Sequence, residues 1–124
     1  MKALLDTHAL IWALEGSRKL SKRARQVIED PRNEILVSAA SAWEMAIMSS
    51  LGKLRVPDDL AEVLDAAGLT RRPLGFAEAR RLQTLPLLHS DPFDRMRIAH
   101  ALEERAAIVT RNPQIARYAV TTIW

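Results

Sequence analysis

Lys2-Ala3-Leu4-Leu5-Asp6-Thr7-His8-Ala9-Leu10-Ile11-Trp12-Ala13-Leu14 sets a short apolar run against a carboxylate, then passes into a helical pattern that Gly16-Ser17 breaks. A strand this short and this apolar belongs to a sheet buried on both faces. The same unit recurs. Glu34 to Ser38 (Glu-Ile-Leu-Val-Ser) leads into a helix from about Ser41 to Ser50, closed by Gly52. Ala107 to Thr110 leads into Asn112-Pro113, the start of a short helix. Between these units, Leu20 to Glu29 has helical spacing, and Asp30 to Asn33 is a turn. Pro57-Asp58-Asp59 starts a helix that Gly68 stops, Thr70 to Leu74 is a weaker strand, and Phe76 to Leu85 is a helix ended by Pro86. Arg95 to Glu104 carries Met96, Ile98, Ala99, Ala101 and Leu102 on its apolar side, and Ala119 to Ile123 closes the chain as a strand. Strands alternating with helices predict an α/β fold with a short central parallel sheet. No repeat or linker divides it, so residues 1–124 are expected to form one domain.

Composition narrows the class. Hydrophobic residues make up 48% and charged residues 27% of the chain, ordinary for a globular protein. The formal charge of +3 suits a polyanionic partner if the acids gather in one cleft and leave a basic rim. The basic stretch Arg18, Lys19, Lys22, Arg23 and Arg25 reads equally as a solvated helix face. With no cysteine there are no disulfides and no thiolate metal sites. No apolar run reaches the roughly 18 residues that span a bilayer, and Asp6 interrupts the N-terminal run too early for a signal peptide. A soluble, cytoplasmic protein is the expectation.

Acids set among apolar residues carry the chemistry. Asp6 ends the first strand, Glu44 lies inside Ala42-Trp43-Glu44-Met45-Ala46-Ile47-Met48, and Asp91 and Asp94 sit in His89-Ser90-Asp91-Pro92-Phe93-Asp94-Arg95-Met96. Such acids are costly unless paired, protonated or bound to a cation. Each has a plainer reading. Asp6 is a good N-cap, and Ser41-Ala42-Trp43-Glu44 matches a capping box. One of Asp91 and Asp94 is needed to cap the helix after Pro92, and the other is left over. His8, His89 and His100 lack the spacing of a helical zinc pair and read as surface or core residues. Trp12, Trp43, Met45 and Met48 read first as core. No nucleotide-binding glycine loop and no serine elbow is present. In parallel α/β sheets, sites form beyond the carboxyl ends of the strands. Asp6, the Ser38–Glu44 connection and the Thr110–Asn112 turn all fall at that edge. Oxygen-only ligands select Mg²⁺ or Mn²⁺, and such ions cleave phosphodiesters without a nucleophilic side chain. A nuclease follows as the leading hypothesis. A phosphatase with Asp6 as nucleophile is disfavoured, because no second acid stands two residues on.

Leu5-Asp6-Thr7-His8-Ala9-Leu10-Ile11-Trp12, Ser41-Ala42-Trp43-Glu44 and His89-Ser90-Asp91-Pro92-Phe93-Asp94-Arg95 together resemble the PIN-domain ribonucleases. More closely, they are similar to the VapC toxins of type II toxin–antitoxin systems. Ile108-Val109-Thr110-Arg111-Asn112 and the closing Val120 to Trp124 fit the same pattern. The resemblance implies a three-layer α/β/α fold, Mg²⁺- or Mn²⁺-dependent endoribonuclease activity on RNA, a cognate VapB-type antitoxin and a homodimer. It makes Asp6 and Asp94 the principal metal ligands, with Glu44 completing the catalytic acidic cluster and Asp91 a nearby acid. Asn112 stands where many relatives have aspartate; its amide oxygen can still ligate or position a metal-bound water but carries no charge, so weak occupancy of a second metal is expected. Trp12, Trp43 and Met48 become candidate anchors for the antitoxin. The alternative is a PIN-like module that binds RNA or protein without cutting, and Asn112 is the residue that keeps it open.

Overall fold

The computed structural model describes residues 1–124. Five parallel strands lie in the order β3-β2-β1-β4-β5: β1 Lys2–Leu5, β2 Glu34–Ser38, β3 Thr70–Arg72, β4 Ala107–Val109 and β5 Thr122–Ile123. β1 sits at the centre, with Leu4 opposite Leu36 on one side and Ile108 on the other. The period-two alternation of side chains sorts these strands onto two cores. Ala3, Leu5, Ile35, Val37 and Val109 face a cluster with Ala9, Leu10 and Trp12 of helix α1 (Thr7–Glu15), Ala24 of α2 (Lys22–Glu29), Met45 of α3 (Ala39–Ser50) and Leu64 of α4 (Leu60–Ala66). Leu4, Leu36 and Ile108 face the opposite way, onto Ile98 and Ala101 of α6 (Pro92–Glu104) and onto Ile115 and Tyr118. Helix α5 (Phe76–Thr84) packs against α6. Helices thus cover both faces, giving the three-layer α/β/α arrangement. No helix is long and apolar enough to cross a membrane.

Several boundaries differ from the sequence reading, and two of them reshape the site. Helix α3 starts at Ala39, not Ser41, because the Ser38 hydroxyl accepts from Ala40 N at 3.1 Å and caps it. Ser41 and Glu44 therefore sit inside the helix and form no capping box. Helix α6 starts at Pro92, not Arg95. Asp91 caps it by accepting from Asp94 N at 2.9 Å, with Pro92 in the first turn, where a missing N–H costs nothing. That leaves Asp94 as the spare acid. The segment after Asn112 forms only one 3₁₀ turn, Ile115–Arg117, and the final strand shrinks to Thr122–Ile123.

Candidate active site

Beyond the carboxyl ends of β1, β2 and β4 lies a cleft of about 370 Å³ lined by Asp6, Glu44, Asp91, Asp94 and Asn112. All five residues singled out in the sequence meet there, although up to 106 positions separate them in the chain. A larger cavity of about 820 Å³ lies between α4 and β3, away from these acids.

Asp6 follows β1 directly, and its backbone N–H donates to Val109 O at 3.2 Å, which ties it to β4. Its Oδ1 accepts from Ala9 N at 2.7 Å, so the capping role is real. Capping takes one hydrogen bond, and the Thr110 hydroxyl also meets the carboxylate. Asp6 is 7% exposed, and this burial raises its pKa above 3.8, against the lowering effect of the Thr110 hydroxyl, the Ala9 N–H and the charge of Arg97. A carboxylate held this way gains from a cation in the cleft.

Arg97 was not singled out in the sequence, and it organises the opposite wall. It is 2% exposed. Its Nη1 donates to Glu44 Oε1 at 2.8 Å, Thr7 Oγ1 at 2.9 Å and Ser41 Oγ at 3.3 Å, while Nη2 donates to Asp94 Oδ1 at 2.8 Å. Thr7 also donates to Glu44. The start of α1, the second turn of α3 and the first half of α6 are thereby fastened to one guanidinium. Asp94 and Arg97 are three apart on α6, the spacing that brings helix neighbours together. That interval was the one available sequence signal for Arg97, and it was masked by the apolar residues on either side.

His89 is hydrogen-bonded and mostly buried, in keeping with the plain reading, and its partner is a site acid. Tyr118 Oη accepts from His89 N at 3.2 Å and from Arg95 Nη1 at 2.9 Å. Its own hydrogen is then free for His89 Nδ1, 2.8 Å away. This assigns the ring proton to Nε2, which donates to Asp94 Oδ2 at 3.2 Å. The same logic orients Asn112. Gln114 N needs the acceptor Oδ1 at 3.0 Å, so Nδ2 faces Asp94 Oδ2 at 3.2 Å. Asn112 thus offers the cleft a donor, not the ligating oxygen considered from the sequence. His8 is exposed and His100 is fully buried with Nδ1 on Ser38, as the plainer readings had it.

The donors in the cleft are carboxylate oxygens, the chemistry of a hard divalent ion. As arranged, no three acidic or histidine side chains surround one point. The reason is Arg97, which draws Glu44 and one oxygen of Asp94 to itself. Asp6 and Asp94 Oδ2 stay clear of the guanidinium, and an ion there would share Oδ2 with the His89 and Asn112 donors or displace one of them. Two carboxylates completed by water and phosphate are the usual protein share of a Mg²⁺ site, so the cleft fits one such ion.

The rim is aromatic and basic. The Arg111 guanidinium lies 4.6 Å from the Trp12 ring centroid, and Trp124 packs edge-on to Trp12 at 5.8 Å. Trp12 is core, at 8% exposure, while Trp43 overturns the core reading at 69% and shares α3 with the exposed Ile47. Met48 is half-buried.

A family model described as PIN domain matches residues 3–120. Ribonuclease VapC16 of Mycobacterium tuberculosis is 57% identical over 37 residues, a match that spans 30% of this chain and only 26% of that relative. Among solved structures, the fold is similar to a chain of VapBC2 from Rickettsia felis bound to a DNA fragment from their promoter. There the TM-score is 0.70 at 18% identity, over 98% of this chain and 97% of that one. A toxin–antitoxin complex from Klebsiella pneumoniae gives 0.57 at 24% identity over 89% and 86%, and FitAcB from Neisseria gonorrhoeae gives 0.61 at 15% over 97% and 95%. With strand order, three-layer packing and a family match over nearly its whole length in agreement, the chain belongs to the PIN domain family.

Proposed function

We propose that this protein is a metal-dependent endoribonuclease and the toxin of a type II toxin–antitoxin pair, acting in the cytoplasm. One observation carries the reading: Asp6, Glu44, Asp91 and Asp94 come from three separate segments to one cleft at the carboxyl edge of the sheet. The ribonuclease name of the M. tuberculosis relative and the toxin–antitoxin neighbours point the same way.

Asp6 and Asp94 would hold the ion, and Glu44 completes the acidic cluster from its station on Arg97. Bound Mg²⁺ or Mn²⁺ supplies water activation and neutralises charge at the phosphodiester. The protein's own groups do the rest. His89 and Asn112 donate to Asp94 Oδ2 and fix the carboxylate's orientation. Asp91 holds the first turn of α6 and so the backbone of Asp94. Arg111 and the exposed His8 at the mouth present positive charge and a donor to an RNA backbone, while half-buried Trp124, packed on the buried Trp12, offers ring surface to a base. A VapB-type antitoxin would reach the same mouth with a basic side chain, and a homodimer would cover the exposed Trp43 and Ile47 of α3.

Incubating purified protein with total RNA and Mn²⁺, with and without EDTA, tests the reading. Cleavage that needs the metal and disappears in Asp6→Asn is expected. Binding of RNA with no cleavage in any metal would instead establish the non-cutting module. In cells, expression alone is expected to arrest growth, and a small protein encoded next to it to relieve the arrest by direct binding.

A further inference from the structure

Glu44 and Asp94 face each other across Arg97, and each gives it an oxygen at 2.8 Å. Building on the nuclease reading above, we infer that this guanidinium occupies the place a second divalent ion would need, so that the cleft binds a single Mn²⁺ or Mg²⁺ equivalent on the Asp6 side. Paired ions stand about 3.5–4 Å apart and share carboxylates between them. The donors for a second ion here are Glu44 and Asp94 Oδ1. Glu44 Oε1 and Asp94 Oδ1 each already take a charge-assisted hydrogen bond, and an ion reaching the remaining Glu44 oxygen would meet a full positive charge that no protein environment removes.

The guanidinium has nowhere else to go. Its side chain is 3% exposed, and it stands beside Ile98, which is itself fully buried. Thr7 and Ser41 pin the same nitrogen that holds Glu44, and Nε is buried with no partner, so no second station for the head group is evident. On the other side the balance is reversed. Asp6 has no cation of its own in hydrogen-bond contact, and Asp94 Oδ2 meets only the neutral Asn112 and the His89 ring. One wall of the cleft carries its counter-ion covalently, and the other lacks one.

Arg97 is therefore a positioning residue that fixes ion number. A purely structural cross-link would make the same hydrogen bonds, so the test reads metal rather than activity. Mn²⁺ is titrated calorimetrically into the metal-free full chain and into Arg97→Met, Arg97→Lys and Glu44→Gln. Wild type and Arg97→Lys should each bind one equivalent, and Arg97→Met should admit a second. Glu44→Gln should keep one equivalent and weaken it by less than about tenfold, whereas Asp6→Asn should weaken it about a hundredfold or more. Two equivalents in wild type overturn the inference and leave the nuclease reading standing, as does a folded Arg97→Met that still binds one. No Mn²⁺ binding by wild type overturns both. If Arg97→Met fails to fold, the wild-type stoichiometry and Glu44→Gln decide, and a loss as large as that of Asp6→Asn in Glu44→Gln counts against the inference.

Discussion

Asp6→Asn and Asp94→Asn make the same chemical change in one cleft, and the structure gives them opposite effects on stability. Both should abolish cleavage. Without metal, Asp94 is the partner of a buried guanidinium at 2.8 Å, with side-chain exposures of 11% and 3%. Removing one member of a buried pair costs roughly 3–5 kcal/mol when it strands the other charge. Arg97 keeps Glu44, however, and asparagine still offers an oxygen. The loss is then the difference between a charge-assisted bond, about 1.5–3 kcal/mol, and a neutral one, about 0.5–1.5 kcal/mol. A net cost of about 1–2 kcal/mol should lower Tm by roughly 3–10 °C in a domain of this size. Asp6 behaves in the reverse sense, because burial raises its pKa above 3.8. Its ionised form weakens the fold once the pH exceeds the folded pKa, and that weakening fades as the pH falls toward the unfolded value. Asparagine keeps the cap to Ala9 N without the charge. Asp6→Asn should thus raise Tm in EDTA at pH 7, with the gain vanishing near pH 4. Saturating Mn²⁺ inverts the order, since wild type alone gains about 2.7 kcal/mol at a hundredfold excess over Kd. Thermal unfolding from pH 4 to 8, with EDTA and with Mn²⁺, measures all of this. A metal-free Asp94→Asn at least as stable as wild type would refute the reasoning about Arg97.

Asn112→Asp places a second carboxylate oxygen 3.2 Å from Asp94 Oδ2, while its other oxygen still serves Gln114 N. The metal-free protein should lose stability and Mn²⁺ should bind more tightly, and an unchanged calorimetric titration would contradict this. Trp12→Ala should cost about 3–5 kcal/mol in chemical denaturation, as for a large buried aromatic, while Trp43→Ala, 69% exposed, should stay within about 0.5 kcal/mol. If Trp43 anchors a protein partner, its loss should weaken that complex and leave RNA cleavage intact, as a pull-down beside a nuclease assay would show. Tyr118→Phe removes the hydroxyl that sets the His89 tautomer, which should cost about 1–2 kcal/mol and shift the His89 ring ¹⁵N resonances. Unchanged resonances would mean that the Tyr118 hydroxyl does not bond His89 Nδ1.

β1, β2 and β4 were legible because each is a short apolar run bounded by a turn or a polar residue, and β2 has the predicted limits of Glu34 and Ser38. The position of the acids was legible too, since Asp6 and the residues after β2 and β4 fall at the carboxyl edge of any parallel sheet built from these units. Helix starts were harder. Ser38 and Ser41 are equally good caps as letters, and choosing Ser38 turned Glu44 from a capping partner into a cleft residue. Asp91 and Asp94 posed the same choice; the rule that one cap needs one acid left one of them spare, and the fold makes it Asp94. What lay beyond the sequence is the identity of each acid's partner. Arg97 stands 53 residues from Glu44 and 90 from Thr7, and a guanidinium flanked by Met96 and Ile98 carries no local sign of which way it faces. Asn112 is similar: its amide can ligate or donate until the turn at Gln114 claims the oxygen. Local propensity and period set the strands and the edge at which the acids gather, because those depend on near neighbours. The charge balance among these acids depends on groups dozens of residues apart, and only the packing of α1, α3 and α6 around one buried cation decides it.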